Sequence, residues 1–186
     1  VQHVLKAGQL PAYAITPPDT LGYTATSNLA YNPKAAQALL AEAGYVNGDG
    51  FPATEILYNT SEQHRKVAVA IQQMWKKVLN IDVTIHNQDW KVYLDTESSG
   101  NFFISRASWI GDYVDPNSFL DMWLTGGGNN RTGWSNKTFD HLIQQVAPSA
   151  VTRAERYDAF QHAEKLLLDD VPIIPIYFYV SKHLVH

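Results

Sequence analysis

The sequence contains no cysteine. Disulfide cross-links and thiolate metal centres are therefore excluded, although a Cys-free chain suits the cytosol and the periplasm equally well. No apolar run reaches the ~18 residues that a membrane-spanning helix needs. Basic residues are few and scattered: 14 Lys and Arg stand against 18 Asp and Glu, for a net charge of −4. A nucleic-acid partner requires a basic stripe, and an anionic bilayer requires a basic cluster; the sequence has neither. Val1-Gln2-His3-Val4 shows no basic or long apolar region of a signal peptide and no initiator Met. The chain is thus expected to be an excised piece of a longer protein.

Signatures of catalysis are also lacking. Gly126-Gly127-Gly128 is followed by Asn129-Asn130 rather than by Lys and Ser/Thr, so it is no phosphate-binding loop. Neither a G-x-S-x-G elbow nor an H-E-x-x-H pattern occurs. Histidines stand at positions 3, 64, 86, 141, 162, 183 and 186. His183 and His186 have suitable spacing for a metal but no carboxylate support, and neither a metal nor a cofactor is expected. Asp112 and Asp115 would suit the acid pair of a hydrolase. Asp115, however, precedes Pro116 and is better explained as a helix cap.

What the sequence does have is a globular composition. Of 186 residues, 45% are apolar and 17% charged, enough for one domain with its own core. Five Trp and ten Tyr supply apolar area with a polar handle. Such residues serve either a core or the recognition of a mixed polar and apolar ligand.

Helix and strand signals alternate along the chain. Residues 1–31 read as a short helical piece ending at Gly8, then an extended Pro-rich segment. Asn32-Pro33 starts a helix that Gly44 stops. Thr54–Asn59 is a strand. A helix follows from Thr60 or Ser61, with Val67, Ile71, Met74, Trp75 and Val78 on its buried face. Ile81, Val83 and Ile85 alternate with polar residues as in a half-buried strand. Asp89 caps a short helix, and 102–107 is strand-like. Asp115-Pro116 opens another helix, and 126–130 is a flexible loop. Asn136 caps a helix carrying Phe139, Leu142, Ile143 and Val146. Thr152 and Glu155 have capping-box spacing before a helix with Tyr157, Phe160, Ala163, Leu166 and Leu167 inside. Residues 171–180 form a last, Pro-interrupted strand. Trp75, Trp90, Trp123 and Trp134 are assigned to packing. The order predicts an α/β fold with a sheet covered by helices.

The segment from Ser105 to Pro116 runs from a strand into a capped helix. Ligands of α/β sheets sit beyond the carboxyl ends of strands. Arg106, Trp109 and Asp112 there offer a cation, a flat apolar surface and an anion, the complement of a peptide's carboxylate, side chains and ammonium. The competing reading is an Arg–Asp salt bridge beside a core Trp.

LYNTSEQHRKVAVAIQQMWKKVLNIDV, NQDWKVYLDT, SRASWIGDYVDPNSFL, NNRTGWSNKTFDHLI and VPIIPIYFYV, with GQLPAYAITPP and YNPKAAQALLAEAGY upstream, occur in this order. Together they resemble the periplasmic oligopeptide-binding proteins, solute-binding family 5. The resemblance implies a type II periplasmic-binding-protein fold, a venus flytrap of which residues 1–180 make most of the second lobe and 181–186 begin a return towards the first. It implies a non-enzymatic receptor of an ABC importer, periplasmic or lipid-anchored, monomeric, that pairs an extended peptide with its backbone and passes it to membrane permease subunits. Asp112 would bind the peptide's ammonium and Trp109 line a side-chain pocket. Ser108 and Ile110 would offer main-chain groups, Arg106 and His64 receive the carboxylate, and Tyr179 face the ligand. Relatives often carry Arg after L-D-T, where this chain has Glu97. That difference bears on ligand length and class and keeps a murein-peptide receptor open as an alternative; family 5 also includes sugar and nickel-chelate receptors, a further alternative that Asp112 disfavours.

Overall fold

The computed structural model describes residues 1–6 and 8–180. The expectation for 181–186, and the histidines at 183 and 186, lie outside them. Two short helices and strands open the chain: α1 (Gln2–Leu5), β1 (Leu10–Pro11), α2 (Pro33–Glu42) and β2 (Thr54–Asn59). Then come α3 (Glu62–Leu79), β3 (Val83–Gln88), α4 (Trp90–Ser98) and β4 (Ile104–Ser105). The remainder is α5 (Asn117–Leu120), α6 (Lys137–His141), α7 (Ala147–Ser149), α8 (Arg153–Asp170) and β5 (Tyr177–Phe178). A π-helical turn, Leu142–Val146, joins α6 to α7. Length alone points to one domain, but the contacts divide the chain into two compact units. One gathers Gly8–Ala30 and the described residues from Trp109 onward; the other gathers Tyr31–Ser108 with the α1 segment.

The second unit is a small α/β layer. Its parallel sheet has the order β3-β2-β4, with Ile56 opposite both Ile85 and Ile104. Parallel neighbours need crossovers, which α3 supplies between β2 and β3 and α4 between β3 and β4. Ile56, Tyr58, Ala68, Ile81 and Val83 form the core, with Ile71, Trp75 and Leu79 against it. Asn32 accepts from Ala35 N at 3.0 Å and starts α2; Asp89 accepts from Lys91 N and Val92 N and starts α4. Gly48, at φ +80, has no room for a side chain, because a Cβ would lie 2.4 Å from Leu79 O.

Several expectations need correction. Met74 is 45% exposed, because the buried face of α3 is narrower than the apolar spacing suggests. The 102–107 strand shrinks to Ile104–Ser105, and Phe103 faces solvent. Trp90 is 58% exposed and stacks on Tyr93 at 5.8 Å rather than entering a core. The last strand is only Tyr177–Phe178, antiparallel to Leu10–Pro11, because Pro172 and Pro175 lack the N–H a ladder requires.

The first unit is mainly helical. Tyr23, Leu120, Trp123, Phe139, Ile143, Phe160 and Leu167 dominate its core. The Thr152–Glu155 capping box starts α8 as its spacing predicts. Helix α8 also buries a charged residue that periodicity alone does not single out. Glu164 is fully buried, and its Oε1 accepts 2.8 Å hydrogen bonds from Ile15 N and Thr16 N. Its Oε2 accepts from the Tyr23 hydroxyl at 2.8 Å. Burial raises the pKa of both Glu164 and Tyr23. The glycine loop is organised by Asn130, whose Nδ2 reaches the carbonyls of Trp123, Leu124 and Trp134 at 2.9–3.2 Å.

Two substitutions test this packing. Glu164→Ala leaves three donors without an acceptor and should cost about 3 kcal/mol or more in chemical denaturation. Val171 ends α8 at φ +50, a left-handed conformation that suits a β-branched residue badly. Val171→Gly should therefore stabilise the fold by about 1 kcal/mol in the same assay.

Candidate functional site

The carboxyl ends of β2, β3 and β4 deliver one group of candidate residues, all in the Tyr31–Ser108 unit. His64 lies in the first turn of α3, directly after β2, and is half-buried. Its Nδ1 is 3.3 Å from Asn59 O, the carbonyl at the end of that strand. Burial lowers the His64 pKa, and the nearby Arg106 cation lowers it further. Neutral imidazole is therefore the resting form at pH 7. Arg106 follows β4 directly, and its N–H donates to Leu57 O at 2.8 Å, which continues the β2–β4 pairing. Ser108, two residues on, is exposed. The structure thus brings His64 close enough to Arg106 for the cation to act on its ring.

The same edge holds residues that periodicity did not single out. The Tyr93 hydroxyl meets Glu97 Oε1 at 2.9 Å, Ser105 Oγ at 3.1 Å and the main-chain oxygen of Arg106. Burial pushes its pKa up to about 12, with the Glu97 charge adding to the rise and Ser105 and Arg106 opposing it. Asn59 Oδ1 and Gln88 Oε1, on residues in direct register across β2 and β3, are buried and accept no hydrogen bond among the described residues. Buried acceptors are ordinarily satisfied, and neither of these two atoms is open to solvent. The four-residue spacing of Tyr93 and Glu97 on one helical face was the available signal.

A second group belongs to the other unit, in the loop from Trp109 to Pro116. Three contacts fix this loop to α5. Trp109 Nε1 donates to Ser118 O at 2.7 Å, and Asp112 N donates to Ser118 Oγ at 2.8 Å. Gly111 packs so closely on Phe119 that a Cβ would fall 2.7 Å from its ring. Ile110 is 79% exposed, and the Asp112 side chain is also exposed. The Asp112 carboxylate joins no hydrogen bond or ion pair among the described residues. Its charge still reaches Asp121, whose pKa burial and Asp112 both raise, against the Tyr113 hydroxyl at 3.5 Å. The loop therefore carries a negative field that no ion pair among the described residues cancels at Asp112.

Asp115 is placed quite differently. Its two oxygens take Arg156 Nη1 at 2.7 Å and Nη2 at 2.8 Å, and Oδ1 also caps Asn117 N at 2.9 Å. Arg156 in turn lies over the Phe160 ring at 4.7 Å. Although burial works against it, this pairing holds the Asp115 carboxyl below the usual range. A carboxylate so paired is a poor proton donor, which removes half of the acid pair a hydrolase would need. Tyr179 follows β5, is half-exposed and meets Tyr177 edge-on at 5.4 Å.

Residues 1–131 match the family model of bacterial extracellular solute-binding proteins, family 5 middle region. Over 190 residues the chain is 38% identical to the periplasmic murein peptide-binding protein MppA of Escherichia coli, covering 99% of this chain and 35% of that protein. It is likewise 38% identical over 191 residues to the periplasmic oligopeptide-binding protein OppA of Salmonella typhimurium, covering all of this chain and 35% of the relative. The structure of unliganded, open MppA superposes with a TM-score of 0.87 over 95% of this chain and 35% of that one. That of Haemophilus influenzae OppA with the peptide RPPGFSPFR gives 0.83 at 34% identity, over 95% and 36%. The chain thus spans about a third of the length of these relatives. The fold is that of the type II periplasmic binding proteins, of which this chain is a part.

The His64 environment yields a pH prediction. A folded pKa below the ordinary 6.5 means that His64 favours the folded state fully above that value, and this contribution is lost as pH falls through the folded pKa. An NMR titration of the His64 ring should give a midpoint below 6.5, and Arg106→Gln should move it upward.

Proposed function

The chain belongs to the bacterial extracellular solute-binding proteins of family 5, and from that membership we propose that the whole protein is a receptor that binds short peptides and delivers them to an ABC importer. The observation that carries the reading is Asp112, an exposed carboxylate without a partner among the described residues, on a loop that Trp109, Gly111 and Ser118 hold rigid. A fixed anion of this kind receives an ammonium through charge-assisted hydrogen bonds, and the second carboxylate at Asp121 strengthens the local field. Trp109 and Tyr179 offer aromatic surface to peptide side chains, and Ser108 and Ile110 offer exposed main chain for strand-like pairing. Arg106 and His64 receive the carboxylate; His64 is neutral until a ligand's negative charge raises its pKa. Backbone pairing reads few side chains, so a range of peptides is accommodated.

In this reading residues 1–180 are most of the second lobe, and a first lobe outside this chain closes over the peptide by a hinge. Half of the clamp makes half of the hydrogen bonds and leaves the ligand wet, so the isolated chain binds peptide at best in the millimolar range, about −4 kcal/mol. The receptor works outside the cytoplasmic membrane as a monomer, free or lipid-anchored, with permease subunits as its partners, and it performs no catalysis. Murein peptides are the second reading, which the likeness to MppA favours.

Calorimetric titration of the intact parent protein, unfolded and refolded to strip carried-over ligand, tests the proposal. A pool of tripeptides should bind the wild type, and Asp112→Ala should lower affinity at least tenfold, or about 1.4 kcal/mol. Mass spectrometry of the mixture should recover the peptides intact. A wild type that ignores ordinary peptides would redirect the search to murein peptides, sugars and nickel chelates.

A further inference from the structure

We propose that Asn47-Gly48 is a latent covalent modification site: the fold holds it unreactive, opening of its turn lets it deamidate, and the isoaspartyl product cannot return to the native packing. It is the one Asn-Gly step in the sequence. In such a step the main-chain nitrogen of the glycine attacks the carbonyl carbon of the Asn side chain, and glycine hinders that attack least because it has no side chain. A bond forms between Gly48 N and Asn47 Cγ, the bond from Cγ to the side-chain nitrogen breaks, and the Gly48 proton leaves with ammonia. Water then opens either carbonyl bond of the five-membered imide. One opening gives an ordinary aspartyl residue. The other gives an isoaspartyl residue, whose main chain runs through the former side chain and is longer by one methylene.

The turn between α2 and β2 opposes the first step through its geometry, not by shielding, since the Asn47 side chain is exposed. Asn47 is left-handed, at φ 54 and ψ 23. That ψ turns Gly48 N away from the Asn47 Cβ, so no rotamer of the side chain brings Cγ near enough to close the ring. The Gly48 N–H donates to Tyr45 O at 2.9 Å, which engages the proton that must be lost. Asn47 O accepts from Asn80 Nδ2 at 3.0 Å, and this bond clamps the peptide plane that would have to rotate. Asn80 is itself the left-handed cap that ends α3, at φ 56. The product fails to refit for a separate reason. Gly48 is buried, and Leu79 O and Asn80 O stand where a Cβ would fall, at 2.4 and 2.8 Å. An extra methylene directly before Gly48 must displace either that packing or the bond to Tyr45, and such crowding is destabilising. Each opening of the turn is thus a chance of irreversible damage to the unit that carries His64 and Arg106.

The test incubates the intact parent protein, folded and in guanidinium chloride, at the same mildly alkaline pH and temperature, and follows isoaspartate at position 47 by peptide mapping. The denatured protein should form it about tenfold or more faster, because reaction of the folded protein is limited to its open population. This arm does not depend on the folding of any variant. Asn80→Gly keeps the left-handed cap but removes the clamp, and it should raise the rate in the folded protein severalfold while leaving the denatured rate unchanged. On dilution from denaturant, chains with isoaspartate at position 47 should be depleted severalfold from the refolded fraction. Asn47→Gly, which tolerates the positive φ and has no side chain to react, should keep its refolding yield over the same incubation. Equal rates in folded and denatured protein overturn the protection by the fold, and an unchanged rate in Asn80→Gly overturns the clamp. Isoaspartyl chains that refold as fully as unmodified ones overturn the irreversibility.

Discussion

A buried carboxylate organises the larger part of this chain. Glu164 sits on α8 with no exposure to water, and it is held there by two main-chain N–H groups and a tyrosine hydroxyl. Burying a charge costs several kcal/mol unless donors replace its hydration. Here the donors come from Ile15, Thr16 and Tyr23, all in a segment almost devoid of regular structure. The carboxylate therefore satisfies backbone groups that no ladder satisfies, and the segment in turn completes the solvation of the carboxylate. Without that exchange, a buried carboxylate would lack its donors and the Ile15 and Thr16 N–H groups their acceptor.

The loop around Asp112 follows the same rule for polar groups. Three aspartates lie within ten residues of one another, and each has a separate fate. Asp115 is paired with Arg156 and caps α5. Asp121 is half-buried, bonded to Asn117, and feels the charge of Asp112. Asp112 alone keeps its oxygens outward, while its own N–H is bound to Ser118. The backbone is thus fixed and the charge is left available, which is the preorganisation a binding residue needs. In the unit with the parallel sheet, topology has an equivalent effect: it brings the first turn of α3, the last turn of α4 and the residue after β4 together, far apart though they are in sequence.

Much of the local structure is legible in the residues themselves. Thr54–Asn59, the Asn32, Asp89 and Asn136 caps and the Thr152–Glu155 box appear where spacing and side-chain chemistry predict them. These are short-range effects, decided within about one helical turn. Trp90, Met74 and the strand expected at 102–107 are misread for the opposite reason. An apolar residue on the right face is buried only if another element covers it, and nothing in a local pattern says whether one does. The candidate site divides in the same way. Arg106, Trp109 and Asp112 stand out from residue type at a strand-to-helix junction, and the family resemblance adds His64 and Tyr179. Tyr93 shows only its four-residue spacing from Glu97, and Asn59 and Gln88 carry no signal of this kind.

The sequence by itself determined the alternation of helices and strands, the helix ends, the exclusion of disulfides and thiolate metals, and the family to which the chain belongs. Each of these depends on composition or on neighbours a few positions apart. Only the tertiary structure decided which charges are compensated. Asp115 meets Arg156 across 41 residues and Glu164 meets Thr16 across 148. Tyr93 links Glu97 to the end of β4, and Asp112 is left without a partner among the described residues. Coulomb and hydrogen-bond energies depend on separation in space and on access to water, and chain order fixes neither.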